Sequence, residues 1–308
     1  MNIEVFILGT GGMMPLPGRG LTSVLVRREG ELFLFDCGEA TQIAFRRLGL
    51  RWKKISHIFI SHTHADHVTG LPGMLSLSAQ VERSEPLHVY GPPRVRAYVE
   101  QSLRILDIYI DYEIVIHETF DSGLLVAGDG YEVHACRLRH SKPCLGYTLV
   151  EGDRPGEFHP ERAEELGVPR GPLWGRLQGG QSVTLGDGRV IESAQVMGTA
   201  RPGRKFAFIT DTAMVGGLDR FVADADLMIC EGMFSQDLRD SARDKKHLTA
   251  RQAGALARVA GVRRMGLIHY SPRYTERDLK QLLREARREF SGSFLTRDLQ
   301  ELSIPFRD

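Results

Sequence analysis

A dense cluster of potential metal ligands lies in the segment Ser61-His62-Thr63-His64-Ala65-Asp66-His67. It directly follows an apolar run, so we expect it to form the loop at the end of a buried strand. Side chains alternate along extended backbone, so His62 and His64 would point to the same side, and Asp66 and His67 would lie where a helix begins. Imidazole and carboxylate groups suit zinc or manganese. The segment therefore predicts a site for two neighbouring divalent ions.

Two ions need more ligands than this segment supplies, and three further residues stand where apolar strands are predicted to end. They are His140, Asp211 and His269. Loops at the ends of strands in a rigid scaffold often form the rim of one shared site. Each residue alone would more often be structural, but together with the cluster they favour a common metal centre.

The elements that must position these ligands follow one order twice, namely strands and then helices. Strand-like runs are predicted at 3–9, 22–36, 58–60, 87–90, 112–150, 206–211, 227–231 and 265–269, and helical patterns at 39–49, 93–105, 249–260 and 275–290. Thr249 is a candidate N-cap. We predict an α/β (α+β) fold of four layers, in which two packed sheets are covered by helices on both outer faces.

An insertion separates the two halves. Residues 151–204 are rich in Gly, Pro, Arg and Glu with weak apolar periodicity, as expected of a functional or a disordered segment. Val183–Ile191 has the pattern of a hairpin, with Gly186-Asp187-Gly188 as its turn. Charge is unevenly distributed: residues 151–200 hold 5 Lys/Arg and 8 Asp/Glu, whereas 235–290 hold 14 and 7. The basic stretch could attract phosphates or simply be a solvated helical face.

The ligand pattern His62-x-His64-x-Asp66-His67, followed by His140, Asp211 and His269, resembles the metallo-β-lactamase superfamily. Within it the chain is similar to the ribonuclease Z family of tRNA 3′-processing endonucleases. Supporting segments are Phe35–Gln42, Asp66–Gly73, Tyr90-Gly91-Pro92 and Ser271–Tyr274. The resemblance implies an αββα sandwich over residues 1–308, with 151–204 as an inserted protruding arm that could bind tRNA away from the scission site. The alternative for 151–204 is a dimerisation flap or an ordinary variable loop.

The resemblance also implies a role for each ligand. His62, His64 and His140 would hold one ion, Asp66, His67 and His269 the other, and Asp211 would bridge them. The ions would be Zn²⁺, with Mn²⁺ or Fe as alternatives, and a hydroxide between them would attack the phosphodiester. Asp66 would orient that hydroxide and take its proton. Asp36 would fix the tautomer of a ligating histidine, although a carboxylate at the end of a strand can also be purely structural.

Phosphodiester hydrolysis also needs protonation of the leaving group. The resemblance assigns this to His247, paired with Glu231, and it assigns phosphate binding to Arg273, with Ser271 beside it. Structural readings remain open for His247, as a histidine near a helix N-terminus, and for Arg273, as part of a surface ion pair. The implied partners are precursor tRNA and a second copy of the chain, whose arm would serve the first copy's site.

Two departures from the family pattern bear on the substrate. Cys230-Glu231-Gly232-Met233 replaces the usual His-Glu-Ala-Thr, and the segment from Met13 to Leu21 is less polar than is common. The arm is acidic, which disfavours RNA binding. Removal of the 3′ trailer from precursor tRNA is thus predicted, and the alternative is another hydrolase on this scaffold, acting on a cyclic nucleotide, small phosphodiester, lactone or thioester. A non-catalytic RNA-binding protein is disfavoured because no ligand is missing.

Composition excludes several other classes. The sequence contains no apolar run long enough to span a membrane and no signal-peptide pattern, so a cytoplasmic protein is expected. Its four cysteines are scattered without a C-x-x-C pair, which argues against a disulfide framework. Gly9-Thr10-Gly11-Gly12 imitates a dinucleotide-binding loop but lacks the third glycine and the following helix, so no nucleotide cofactor is expected.

Overall fold

The computed structural model describes residues 3–307, which form two seven-stranded sheets, a small hairpin and ten α-helices. The strands are β1 (Ile3–Gly9), β2 (Ser23–Arg28), β3 (Glu31–Phe35), β4 (Ile55–Phe59), β5 (Leu87–Gly91), β6 (Ile114–Glu118), β7 (Gly123–Gly128), β8 (Tyr131–Arg139), β9 (Pro143–Glu151), β10 (Val183–Thr184), β11 (Val190–Ile191), β12 (Lys205–Ile209), β13 (Leu227–Glu231), β14 (Met265–Ile268), β15 (Ser293–Leu295) and β16 (Glu301–Ile304).

The helices are α1 (Thr41–Arg47), α2 (Ala65–Val68), α3 (Leu71–Ala79), α4 (Val95–Ile105), α5 (Pro160–Glu165), α6 (Pro172–Gln178), α7 (Leu218–Phe221), α8 (Arg239–Lys245), α9 (Ala250–Val259) and α10 (Glu276–Glu289). Three short 3₁₀ turns occur at Trp52–Lys54, Ser193–Gln195 and Gln236–Leu238. No helix within residues 3–307 combines the length and apolar character needed to cross a membrane.

Strand order explains why the candidate residues meet. The first sheet runs β16-β1-β2-β3-β4-β5-β6, and the second runs β15-β14-β13-β12-β9-β8-β7. Strands β3 to β6 are mutually parallel, as are β12 to β15. Because parallel strands finish at the same sheet edge, the loops after β3 and β4 lie side by side, and so do those after β12, β13 and β14.

Three apolar clusters hold this main unit together. One fills the space between the sheets, with Phe35 and Phe59 from the first against Phe206 and Phe208 from the second. Another packs the outer face of the first sheet against α1, α3 and α4. The third packs the second sheet against α9 and α10. The predicted four-layer fold, helices on two sheets on helices, is therefore confirmed.

Local signals in the sequence match the helices that flank the site. Thr249 caps α9, since its hydroxyl accepts a hydrogen bond from the Gln252 amide, and the Gln252 side chain returns the contact. Thr275 caps α10 in the same way through Asp278. Such reciprocal caps satisfy amides that have no partner within the helix. The predictions of helices at 249–260 and 275–290 are both confirmed.

Val150–Arg204, together with the C-terminal residues from Phe306, form a second compact unit. It contains α5, α6 and the predicted hairpin, in which Val183 pairs with Ile191. Its own small apolar core includes Ala163, Leu177 and Val196. The segment is therefore ordered, and the alternative that it is disordered is wrong. Trp174 packs against Phe158 and donates a hydrogen bond to the Val168 carbonyl.

Candidate active site and metal centre

The end of one strand in the first sheet leads to four of the seven predicted ligands. Strand β4 ends at Phe59 and leads into the loop that carries His62 and His64. Helix α2 then begins at Ala65, which places Asp66 and His67 in its first turn as predicted. Strands of the second sheet supply the rest, because His140, Asp211 and His269 follow β8, β12 and β14 directly or by one residue. The structure thus brings all seven predicted ligands together.

The ligand atoms fall into two groups. His62, His64, His140 and Asp211 form one, and Asp66, His67 and His269 form the other. In the first group, His62 Nε2 lies 2.8 Å from His64 Nδ1, and His140 Nε2 lies 3.2 Å from the same atom. In the second, His67 Nε2 lies 3.2 Å from His269 Nε2 and 3.6 Å from Asp66 Oδ2. Each group has the composition of a divalent-metal site.

Asp211 stands between the groups and presents one oxygen to each. Its Oδ2 lies 3.6 Å from the Nε2 atoms of both His62 and His140. Its Oδ1 lies 3.4 Å from His67 Nε2 and 3.2 Å from His269 Nε2. The side chain is buried, so it is held where it can touch both groups. A carboxylate in this position can contact both ligand groups at once.

The donor set fits metal ions on chemical grounds. Ring nitrogens that converge at 2.8 Å and 3.2 Å cannot all carry protons, and a neutral imidazole has a lone pair that needs a positive partner. Burial lowers the pKa of His67, but the carboxylates of Asp211, Asp36 and Asp66 outweigh burial and raise that pKa to about 10. Negative charge is thus concentrated around His67, whereas burial lowers the pKa of His62, His64 and His140 and so favours the neutral rings that can bind a metal ion.

Asp36 lies behind the ligands. Its Oδ2 is 2.7 Å from His67 Nδ1, and its two oxygens accept hydrogen bonds from the amide and hydroxyl of Ser61. This contact turns His67 Nε2 toward the ligand group and fixes the tautomer. The Ser61 hydroxyl also contacts His62 Nδ1 at 3.0 Å, and His140 Nδ1 faces the Lys246 carbonyl at 3.3 Å. The site therefore orients three of its five imidazoles from behind.

His247 and Glu231 form a buried pair beside the ligands. His247 Nδ1 lies 3.1 Å and 3.2 Å from the two carboxylate oxygens of Glu231, which also accepts a hydrogen bond from the Thr212 amide. Burial lowers the pKa of His247, but the charge and hydrogen bonding of Glu231 raise it to about 9. The imidazole is thus a cation at neutral pH, and its Nε2 remains available to the site cavity that it lines.

Arg273 lines the same cavity, which has a volume of 310 Å³. Its guanidinium packs over the ring of Phe234, and its Nε donates a hydrogen bond to Ser271 Oγ at 3.0 Å. Ser271 is itself buried, and through this contact it orients Arg273. An oriented guanidinium at the mouth of a metal site is well suited to a phosphate oxygen.

Sequence reasoning missed an N-terminal loop, residues 10–20, that holds two of the ligands. The Met13 amide donates a hydrogen bond to Asp66 Oδ2 at 2.6 Å. Gly12 lies against the His269 ring so closely that an added Cβ would be 2.6 Å from its Cε1 and Nε2 atoms. Asp298 pins both ends of the loop through Thr10 Oγ1 and the Gly20 amide, each at 2.6 Å. The adjacent glycines were the available signal, although they were considered only as a dinucleotide loop.

Comparison with known proteins shows which families and structures the chain is similar to. The sequence-family model for the beta-lactamase superfamily domain matches residues 184–270. The family model for the anti-Pycsar protein Apyc1 matches residues 3–140. A ribonuclease Z of Treponema denticola is 54% identical over 308 residues, covering 100% of both chains. A ribonuclease Z of Borrelia hermsii is 42% identical, covering 97% of this chain and 96% of its own. The crystal structure of human tRNase Z, short form, superposes with a TM-score of 0.72 at 26% identity, covering 98% of this chain and 100% of that one.

Fold and site together define a metal-dependent hydrolase of the metallo-β-lactamase superfamily. Relatives that match the chain over its full length, at identities well above 30%, identify the family within this superfamily. The chain belongs to the ribonuclease Z family.

Proposed function

We propose that the enzyme removes the 3′ trailer from precursor tRNA by hydrolysing one phosphodiester bond, with two divalent ions bound by the seven ligands. The observation that carries this proposal is the position of Asp211, which offers one oxygen to each of two ligand groups. A paired site of this kind suits in-line displacement at phosphorus, because both the attacking and the leaving oxygen need stabilisation. Relatives of matching length bear the name ribonuclease Z.

When bound, the ions would supply an activated water and positive charge against the phosphoryl oxygens. Asp66 is fixed by the Met13 amide, and although burial raises its pKa, the charges of His67 and His269 hold that pKa well below its usual range. It is therefore ionised at neutral pH. We assign Asp66 the orientation of the attacking water and the acceptance of its proton at a carboxylate oxygen.

We assign leaving-group protonation to His247. As the new P–O bond forms, the bond between phosphorus and the 3′ oxygen of the last tRNA nucleotide breaks, and the proton on His247 Nε2 passes to that oxygen. The products are a tRNA with a 3′ hydroxyl and a trailer with a 5′ phosphate. Glu231 keeps the imidazole protonated and aimed beforehand. Arg273 would bind an oxygen of the substrate phosphate.

Several finer points belong to the same proposal. The ions are Zn²⁺, because five imidazoles and two carboxylates match its preferred donors, with Mn²⁺ or Fe as alternatives. The 151–204 segment is the arm that binds the tRNA body, within a single-domain chain. The enzyme works as a homodimer in which one copy's arm serves the other's site. A reducing, cytoplasmic location suits its four free cysteines.

The acidic character of residues 151–200 favours a second candidate, a hydrolase of small phosphodiesters or cyclic nucleotides. One experiment separates the two. Metal-loaded protein is incubated at moderate salt with a precursor tRNA bearing a 3′ trailer, and the product ends are mapped. The proposal predicts a single cut that leaves a 3′ hydroxyl on the tRNA, and it predicts no cut by the Asp66→Ala variant. Failure to cut the RNA, alongside metal-dependent hydrolysis of bis(p-nitrophenyl) phosphate, would support the second candidate.

A further inference from the structure

A second cavity, of 390 Å³, opens beside the metal centre and is lined by three arginines, Arg139, Arg239 and Arg243. Asp240 and His247 also line it. Among the described residues, His247 alone lines both this arginine pocket and the cavity of the metal ligands. The two cavities thus both border the imidazole to which we assign proton transfer.

The pocket is built on fixed backbone. Arg139 is the last residue of β8 and directly precedes the ligand His140. Its amide donates to Thr212 Oγ1 at 3.0 Å, and its carbonyl accepts from the Ala213 amide at 2.9 Å. This arginine is therefore tied to the loop that carries the bridging carboxylate. Its guanidinium is free to reach into the pocket.

The other two arginines come from α8, where Arg239 and Arg243 are four residues apart and so share one face of the helix. Arg243 contacts Asp240 and Asp244, each at 3.3 Å and all three side chains well exposed. Exposed pairs of this kind contribute little and exchange readily for a better partner. In the described part of the chain, the side chains of Arg139 and Arg239 have no carboxylate within ion-pair distance.

Three guanidiniums against one carboxylate give the pocket a net positive charge next to the reacting bond. Guanidinium groups bind phosphate oxygens through paired hydrogen bonds, and phosphate contacts position nucleic acids on proteins. His247 gives its proton to the 3′ oxygen of the last tRNA nucleotide, so the strand that continues past His247, away from the ligands, is tRNA and not trailer. The next phosphate along that strand is the one on the 5′ side of this nucleotide.

We propose that the arginine pocket binds this upstream phosphate and thereby sets which phosphodiester bond lies over the metal centre. The inference rests on the proposed function, because it takes the polarity of the strand from the leaving group at His247. The arginine pocket is then a subsite that recognises the negative charge of the RNA backbone and not the identity of a base.

The test combines a charge-removing enzyme variant with charge-removed substrates. The variant is Arg139→Gln with Arg239→Gln, and its matched control is Arg277→Gln with Arg284→Gln, two exposed arginines of α10 that line neither cavity. The substrates are one precursor tRNA and two versions with a single uncharged methylphosphonate, at the upstream phosphate or at the first phosphate within the trailer. The measured quantity is kcat/KM, normalised to each protein's hydrolysis of bis(p-nitrophenyl) phosphate, with metal content and thermal unfolding as checks of integrity.

We expect the pocket variant to lose about 10- to 100-fold in kcat/KM on the unmodified RNA, since hydrogen bonds to charged groups are of that strength. Wild-type protein should lose a similar factor on the upstream methylphosphonate. The pocket variant should show almost no further loss there, because the same contact is already missing. On the trailer methylphosphonate, the fold-loss in kcat/KM caused by the pocket variant and the fold-loss caused by the substrate change should multiply.

Other results would overturn the proposal. Coupling of the variant to the trailer phosphate would mean that the pocket binds the opposite strand end. A pocket variant that behaves like the Arg277–Arg284 control would mean that no backbone phosphate binds there. Wild-type protein that hydrolyses the small diester but leaves the RNA intact would refute the proposed function itself, before any arginine variant is compared.

Discussion

At the scale of single residues, Asp211 has the most demanding position in the site. Its two oxygens face different groups of imidazoles, at distances between 3.2 Å and 3.6 Å. An asparagine fits the same space but offers one oxygen and one amide nitrogen, which cannot ligate a metal with its protons in place. The residue therefore links two half-sites that would otherwise be independent.

We expect Asp211→Asn to lower the metal content from two ions per chain to one or fewer. Elemental analysis of protein purified with excess Zn²⁺ and then dialysed measures this directly, without an activity assay. Asp129→Asn, an exposed carboxylate in a hairpin turn, is the matched control and should retain both ions. Two firmly bound ions in the Asp211→Asn protein would contradict the bridging role.

A second prediction at this scale concerns the proton of His247. His247→Ala should reduce RNA cleavage by about 10²- to 10⁴-fold, the usual contribution of a general acid, and should harm hydrolysis of an activated aryl phosphodiester far less.

Glu231→Gln tests the effect of this carboxylate on the pKa of His247. With the carboxylate present, that pKa is raised to about 9, so the acid form persists up to about that pH. Without it, the alkaline fall in kcat should move toward lower pH. Equal losses on both substrates, or an unmoved pH profile, would exclude the role.

At the scale of elements, the N-terminal loop acts as a clamp on the metal ligands. The His269 ring has no partner on its Nδ1 atom in the described structure, so the packing of Gly12 holds it in place of a hydrogen bond. Asp298 fixes the loop ends through Thr10 and Gly20. Ligand geometry at one edge of the second sheet therefore depends on a loop that carries no ligand.

Gly12→Ala should push the His269 ring out of place and weaken metal binding by about 10- to 100-fold, the cost commonly found when a ligand loses its support. Zn²⁺ affinity measured by competition with a chelator checks this. Gly216→Ala is the control, because a Cβ there meets no atom within 4 Å. Unchanged affinity in the Gly12→Ala protein would show that the loop yields without disturbing His269.

Strong local signals allowed the fold to be predicted from the sequence. Alternating or continuous apolar runs marked the strands, and Thr249 marked the start of one helix. The short helices α5 and α6 were not predicted from the sequence. They are stabilised by packing in their own small core, which a local pattern does not reveal. The site could be predicted as far as its ligands, whose residue types are distinctive. The contacts of Met13 and Gly12 could not be predicted. Met13 acts through its backbone amide, which every residue except proline has, and Gly12 acts through its lack of a side chain.

At the scale of the whole molecule, the second unit has a well-defined base. The Glu151 carboxylate accepts hydrogen bonds from Arg204 Nε at 2.7 Å and Nη2 at 2.8 Å, with both side chains buried. Further along, Arg154 and Arg201 pair through two backbone hydrogen bonds of 2.8 Å and 2.9 Å. Phe306 packs under the guanidiniums of Arg154 and Arg204. The unit can therefore be shortened without opening its base.

A variant in which an Asn-Gly turn joins Arg154 to Arg201 tests the role of the arm, because such a turn closes two antiparallel residues. We expect KM for precursor tRNA to rise by about tenfold or more, equivalent to at least about 1.4 kcal/mol of binding free energy. The value is compared with hydrolysis of bis(p-nitrophenyl) phosphate by the same protein. A shortened protein that processes precursor tRNA with wild-type KM would remove this segment from substrate binding.

Strand β1 pairs with β16, so that Ile3 lies opposite Ile304, and Asp298 holds the loop that follows β1. During synthesis, β1 therefore cannot complete its pairing until β16, which follows it far along the sequence, has been made. Until then β1, an apolar strand, has an unpaired edge, which is the kind of surface that nascent chains bury in chaperones or in one another. The same delay applies to the loop of residues 10–20, because Asp298 can hold Thr10 and Gly20 only after that later part of the chain has been made.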